Sequence, residues 1–338
     1  MAMTIRDIAR EAGVSTATVS RALRGLPNVD PVTRERVRQV AERLDYVVSP
    51  AASRLASGRA GSIAVITPHI ARWYFARVLS GIEKVLQASD LDLLLSSIGD
   101  PGEPSYVPPH RKLRRRVDGF IVISLSTDTE GVSEIFEADV PIALIDTVRE
   151  GCWSVGIDDV TGARMAVQHL INLGHERIGL LSGRPMPTPF RPEENRWVGY
   201  RDALSDAGLR VDPDLEACGH FTTEGGERAM TTLLARPNPP TAVFAMSDEM
   251  AFGALRSLRA HGLQPGRDIS VVGFDGHEMA EHLDLTTIVQ PVEEIGIRAA
   301  QSLLDAIEDP TQPPTQVTLP LTMVVRGSTA FRRDRVAL

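Results

Sequence analysis

The sequence is short of most features that mark a secreted, membrane-bound or catalytic protein. Of its 338 residues, only Cys152 and Cys218 are cysteines. Two thiols so far apart provide neither a disulfide framework nor a metal cluster, and they suit a reducing cytoplasm. Nowhere do 18 apolar residues follow one another, so no membrane span is expected. Charges recur from Arg6 onward, which does not fit a secretory leader, and a cytoplasmic protein is the expectation. The first strand-like stretch runs into "SIAVITPHIARWYF", which lacks both the dinucleotide glycine fingerprint and a phosphate-binding loop. "SGRPMP" lacks the glycine spacing of a nucleophile elbow. His169 and His175 fall in a helical pattern and at its exit, where packing or capping is their expected role. No cofactor and no catalysis are expected, and an enzyme on a doubly wound fold is the weaker alternative.

Positive charge is also scarce: 36 basic residues face 44 acidic ones, a net of −8. The deficit is uneven. Residues 1–60 hold ten arginines and six acids, a net of +4, which leaves −12 for the remainder. A basic module on an acidic body makes sense if only the module meets phosphate.

That module is helical in pattern. Thr4 can cap a first helix, with Asp7 as capping-box partner, and Ile5, Ile8, Ala9 and Ala12 form its apolar face. Gly13 permits a tight turn, Val14 plugs the helix crossing and Ser15 caps a second helix. Val19, Ala22 and Leu23 point that helix inward, leaving Thr16, Ala17, Thr18 and Arg21 exposed. A third helix is expected over 33–44. This layout lets a helix enter the major groove, with small residues close to the bases and Arg21 reaching guanine or phosphate. Arg6, Arg24, Arg34 and Arg36 are candidate phosphate contacts.

Three blocks, "TIRDIAREAGVSTATVSRAL", "VDPVTRERVRQVAERLDY" and "SPAASRLAS", resemble the headpiece of the lactose-repressor (LacI/GalR) family of bacterial transcription regulators. The resemblance implies that Thr16, Ala17, Thr18 and Arg21 lie on the recognition helix. It also implies that "PAASRLAS" is a hinge helix that forms on DNA. There Leu55 would wedge into a central base step, Ala52 would face the minor groove and Arg54 would contact the backbone. By composition alone the same stretch is an interdomain linker, and both descriptions can hold.

From Gly61 the period changes. Apolar runs at 62–67, 91–97, 119–124, 141–146, 177–183, 241–247 and 268–275 alternate with helical stretches, including 75–87, 162–173, 195–207, 225–235, 249–261 and 291–307. Continuous hydrophobic strands between helices indicate parallel sheets covered on both faces, and their number calls for two α/β lobes. Strand ends in this architecture aim loops at a shared crevice, which singles out Asp146, Asp248 and Asp275. Asp248 serves equally well as a helix cap.

The family resemblance extends over this body through "VGIDDVTGARMAVQHLINLGHERIGLLSG", "DISVVGFDG" and "LTTIVQPVEEIG". It implies a periplasmic-binding-protein-like core with a small molecule between the lobes. Tyr74 and Phe75 would form an aromatic wall, and Asp146, Arg196, Phe221 and Asp275 would contact the effector. Two departures stand out. Arg72 and Trp73 replace the family's Asn-Pro, so Trp73 either widens the stacking surface or joins a lobe contact. The loop 184–195 is rich in proline and charge. The run "RKLRRR" reads as a solvated helix face, with a second DNA contact as the alternative.

The expected organisation is therefore an all-α helix-turn-helix headpiece (1–48), a hinge helix and linker (49–60) and two Rossmann-like lobes. One lobe comprises 61–160 with about 291–320, the other 161–290 with about 321–330, followed by a short tail (331–338). The expected partners are a palindromic operator, a second copy of the chain and a small-molecule effector. A sugar or phosphosugar leads for the effector, with a nucleobase possible. A cytoplasmic binding protein without operator control is the alternative function.

Overall fold

The computed structural model describes residues 3–23, 25, 27–46, 59–99, 113–114, 116–128, 131–184 and 191–332. These fall into two compact units, 1–61 and 62–338.

Among its described residues the first unit holds three helices: α1 (Ile5–Ala12), α2 (Thr16–Leu23) and α3 (Pro31–Arg43). The Asp7 carboxylate accepts from the Thr4 N–H at 3.1 Å and from its hydroxyl at 2.7 Å, which fixes the start of α1. Gly13 ends α1 with φ 65°, a left-handed conformation that costs glycine nothing. The Ser15 hydroxyl then accepts from the Thr18 N–H at 3.1 Å and opens α2. Asp30 caps α3 ahead of Pro31, so α3 begins two residues before the sequence pattern suggested. Ile8, Ala12, Val19, Ala22 and Val37 form the small core, with Val14 packed against it. Arg43 pairs with Glu11 at 2.7 Å and ties α3 to α1.

The second unit holds two six-stranded sheets. The first is ordered β11-β5-β4-β3-β1-β2 and is wholly parallel. It contains β1 (Ser62–Thr67), β2 (Asp92–Ser97), β3 (Gly119–Ile123), β4 (Ile142–Ile145), β5 (Trp153–Ile157) and β11 (Gln316–Leu319). The second is ordered β12-β10-β9-β8-β6-β7 and is parallel except for β12 against β10. Its strands are β6 (Ile178–Ser182), β7 (Glu216–Cys218), β8 (Ala242–Ala245), β9 (Ser270–Asp275), β10 (Thr286–Val289) and β12 (Thr322–Val324).

Alternate residues of β1 enter different cores. Ile63 and Val65 pack with helices α4 (Trp73–Ala88) and α10 (Val292–Glu308), whereas Ala64 and Ile66 pack on the opposite face. This two-sided burial is why the strand reads as an unbroken apolar run. The two helices approach closely: a Cβ on Gly296 would lie 2.2 Å from the Val78 carbonyl oxygen.

The second sheet is covered by α5 (Asp159–Asn172), α6 (Arg191–Asp206), α7 (Thr223–Leu234) and α8 (Asp248–Ala260), and a short α9 spans Met279–His282. His175 is buried, and its ring nitrogens lie 3.0 Å from the Thr241 and Ser270 hydroxyls, a packing role at the exit of α5. The chain passes from one sheet to the other between β5 and α5, between β10 and α10, and between β11 and β12.

Strands β5, β7, β10, β11 and β12 are absent from the apolar runs seen in the sequence. The start of α6 at residue 191 is also earlier than the pattern gave. Of the "RKLRRR" run (111–116), the described residues are Leu113 and Arg114, in a short 3₁₀ turn, and Arg116, in a turn. Among the described residues, no helix is long and apolar enough to cross a membrane.

Candidate functional site

In the first unit, Thr16, Ala17 and Arg21 are exposed on α2 and Thr18 is half-buried. Val19 and Ala22 fix the opposite face in the core, so the four residues named from sequence share one accessible side. Arg34 is turned back to the Gly25 carbonyl, at 3.1 Å, which braces the turn after α2. Ala52, Arg54 and Leu55 lie outside the described residues, as does Arg24.

In the second unit both sheets reverse their strand order, at β1/β3 and at β6/β8, and the carboxyl ends of those strands face one cleft. The cleft encloses about 570 Å³ including its open mouth. Pro68 follows β1, Ser124 follows β3 and Asp146 follows β4 on one side. Arg184 follows β6, Ser247 follows β8 and Asp275 ends β9 on the other. Ser124, Asp146, Phe221 and Asp275 all hold positive φ, at 52°, 61°, 52° and 125°. Backbone strain of this kind persists only where the surroundings over-determine it, and here it collects on the cleft wall.

The polar groups are pre-positioned. Asp146 Oδ2 accepts from the Tyr74 and Ser124 hydroxyls, each at 2.5 Å. Burial lifts the proton affinity of Asp146, and Tyr74 is raised well above the usual phenol range, first by burial and then by Asp146. Arg196 is buried with its guanidinium over the Phe274 ring. Its Nε donates to Asp159 at 2.8 Å, its Nη1 donates to the Met246 carbonyl at 2.6 Å, and Asp275 lies 3.5 Å away. The Gln290 amide donates to Asp275 at 2.8 Å. Asp159 and Asp275 are each raised to about 7, because burial outweighs the attraction of Arg196. Tyr74, Phe75 and Phe221 supply apolar faces. Ring faces beside oriented carboxyl, hydroxyl and guanidinium groups suit a compact polar ligand with its own ring.

Six of the eight effector candidates line this cleft: Tyr74, Phe75, Asp146, Arg196, Phe221 and Asp275. Trp73 and Asp248 do not. Trp73 stacks on His277 with ring centroids 4.7 Å apart, and its indole N–H donates to Glu278 at 2.6 Å. It therefore ties α4 to the other lobe. Asp248 lies outside the cleft lining and does not cap α8, since Ser247 does. Buried Asp248 accepts from the Thr287 hydroxyl at 2.6 Å and the His277 N–H at 2.8 Å, pinning the loop after β9. The lining also includes Pro68, Ser124, Arg184, Pro192, Glu193, Ser247 and Glu249, which sequence reasoning did not name as contacts. Pro68, Ser124 and Ser247 each end or follow an apolar run, so the strand-end rule applied beyond aspartate would have found them. Glu193 sits inside "RPEEN", which carries no such signal.

A helix-turn-helix unit and a two-lobed cleft on one chain define a DNA-binding regulator with a small-molecule receptor. Residues 4–49 match the model for bacterial regulatory proteins of the lacI family, and residues 167–329 match a periplasmic binding protein-like domain. The catabolite control protein A of Priestia megaterium is 34% identical over 333 residues, 97% of this chain and 100% of that protein. The structure of the lac repressor dimer bound to operator and the anti-inducer ONPF has a TM-score of 0.85 at 27% identity, covering 98% of this chain and 100% of that one. A transcriptional regulator CelR–cellobiose complex has a TM-score of 0.70 at 33% identity, covering 96% and 99%. The chain belongs to the LacI family of bacterial regulatory proteins. It is a DNA-binding transcription regulator, and the enzyme alternative is set aside because its relatives are named repressors and regulators.

Proposed function

We propose that this protein is a cytoplasmic, homodimeric repressor that reads a palindromic operator and whose grip on DNA is set by a sugar bound between its lobes. The observation that carries this reading is the presence, in one chain, of an exposed α2 face bearing Thr16, Ala17 and Arg21 and a pre-organised cleft spanned by three chain crossings. Two copies of α2 would enter successive major grooves, so the DNA site would mirror the two-fold symmetry of the dimer. Thr16 and Ala17 bring methyl groups to base edges, and Arg21 takes guanine or phosphate. The paired segments carrying Ala52, Arg54 and Leu55 would enter the minor groove at the centre of the site and kink it.

The lobes supply the coupling. A ligand touching Asp146 on one side and Asp275 on the other biases the angle between them. Closure at a hinge of three crossings would then change the separation of the two segments that lead to the headpieces. A sugar fits the cleft because its hydroxyls both donate and accept, and its ring can lie against Tyr74, Phe75 or Phe221. Sugars are also the ligands named for relatives: CelR is solved with cellobiose, and an Enterococcus faecium LacI family regulator with ribose.

The test is selection of duplexes from randomised DNA by the full-length protein, followed by anisotropy titrations with sugars present. The expected result is a palindromic consensus whose affinity changes with at least one saccharide. Enrichment of no sequence, or a consensus without dyad symmetry, would overturn the proposal.

A further inference from the structure

Among the described residues lining the cleft, one polar atom is left unspent by the walls around it. Glu193 lies in the first turn of α6, and its side chain is fully buried. Its Oε1 accepts the Arg184 N–H at 2.5 Å, whereas its Oε2 is buried with no hydrogen-bond partner. Buried carboxyl oxygens are almost always paired, because water bonds lost on burial must be replaced. The other acids here are engaged: Asp146 with two hydroxyls, Asp275 with Gln290 and Arg196, and Glu249 with the Trp73 backbone.

We propose that Glu193 determines specificity, exchanging a hydrogen bond with a hydroxyl of an uncharged saccharide and turning away ligands that bear a phosphate or carboxylate. The proposal rests on reading the cleft as the effector site, and it adds the charge class of the effector. Two arguments support it. Burial raises Glu193 to about 7, so near neutrality both its ionised and protonated forms are present. A hydroxyl serves either form, since it donates to a carboxylate and accepts from a carboxylic acid. An anionic oxygen accepts only, and is repelled by the ionised form. The surrounding charge points the same way. The lining holds four carboxyls, Asp146, Glu193, Glu249 and Asp275, against three cations, Arg72, Arg184 and Arg196, and the most deeply buried of these, Arg196, already faces Asp159 and Asp275. An added anion would meet these acids in a site where water screens little.

The test is calorimetric titration of the full-length protein with cellobiose, glucose, ribose, glucose 6-phosphate and glucuronate. It is repeated with monodeoxy analogues of whichever neutral sugar binds. Wild type is expected to bind a neutral sugar in preference to the two anions. Glu193→Ala should weaken that binding by about tenfold or more and the isosteric Glu193→Gln by less, since a buried group loses its partner. One deoxy analogue should cost wild type about tenfold yet cost Glu193→Ala about twofold or less, the signature of a direct pair. Should Ala disturb folding, as judged by thermal melts, the Gln variant and the deoxy series still decide. Sugar binding within about twofold of wild type in both variants would overturn the role of Glu193 while leaving the cleft a sugar site. Preference of wild type for glucose 6-phosphate or glucuronate would overturn the charge argument. Binding of none of the probes would overturn the sugar reading itself.

Discussion

Arg196 is held between two buried acids, and its replacement by methionine gives a destabilisation whose pH dependence can be worked out. Arg196, Asp159 and Asp275 are each under a tenth exposed. Arg196→Met keeps much of the bulk over Phe274 but leaves both carboxyls without a cation. Removing one partner of a buried pair costs about 3–5 kcal/mol. In wild type the two acids titrate at about 7 in the folded chain, against a reference of 3.8. The native state therefore holds extra protons between about pH 4 and pH 7, so stability falls as pH rises through that window and levels off above it. Arg196 is the main group opposing the rise, and without it the folded values climb further. The falling limb should then extend above pH 7, by about 1.4 kcal/mol per pH unit for each carboxyl. Urea unfolding at pH 5.5, 7 and 8.5 reads this directly. The gap between variant and wild type should be smallest at pH 5.5 and widest at pH 8.5. A gap that is constant with pH, or widest in acid, would refute the claim that Arg196 acts as the counter-charge of the cleft.

Other outcomes follow from single contacts. Trp73→Ala removes a stack and an indole–carboxylate bond between the lobes, together about 1–3 kcal/mol. The expected effects are a larger radius of gyration in solution scattering and a loss of sugar affinity of up to about a hundredfold, with Trp73→Phe intermediate. Arg21→Ala should weaken operator binding by about 1–3 kcal/mol and relax the consensus at one position per half-site, read by repeated DNA selection. Gly296→Ala places a methyl group 2.2 Å from the Val78 carbonyl oxygen, and the α4–α10 contact must open. Its cost of about 1–3 kcal/mol should appear as a lower melting temperature with no change in operator consensus.

Much of the fold was legible because β1, β3, β4, β6, β8 and β9 are buried on both faces and so read as apolar runs. Strand β2 was legible too, although it lies at a sheet edge, because leucines fill it. The missed strands lack that mark. β11 is half-exposed in alternation, and β7 and β12 are three residues long. β10 begins with Thr286 and Thr287, whose hydroxyls are buried only because the Arg326 carbonyl, the Thr329 hydroxyl and Asp248 meet them from distant positions. The cleft was half-legible. A strand-end aspartate is visible in sequence, yet whether it faces the cleft, as Asp275 does, or a neighbouring loop, as Asp248 does, depends on tertiary packing. Trp73 shows the same limit: its ring turns toward His277 and Glu278, which lie about 200 residues further along the chain. Glu193 was legible only as part of the charged loop 184–195, because its own burial is set by β6 and the cleft rather than by its neighbours in sequence.

The central claim is that occupancy of the cleft and grip on the operator are one coupled equilibrium. The most direct measurement is the operator Kd by fluorescence anisotropy across a full titration of the bound sugar, together with the sugar Kd with and without operator. The account predicts that saturating sugar shifts the operator Kd by about fivefold or more, and that operator shifts the sugar Kd by the same factor. A sugar that fills the cleft and leaves the operator Kd unchanged would contradict it.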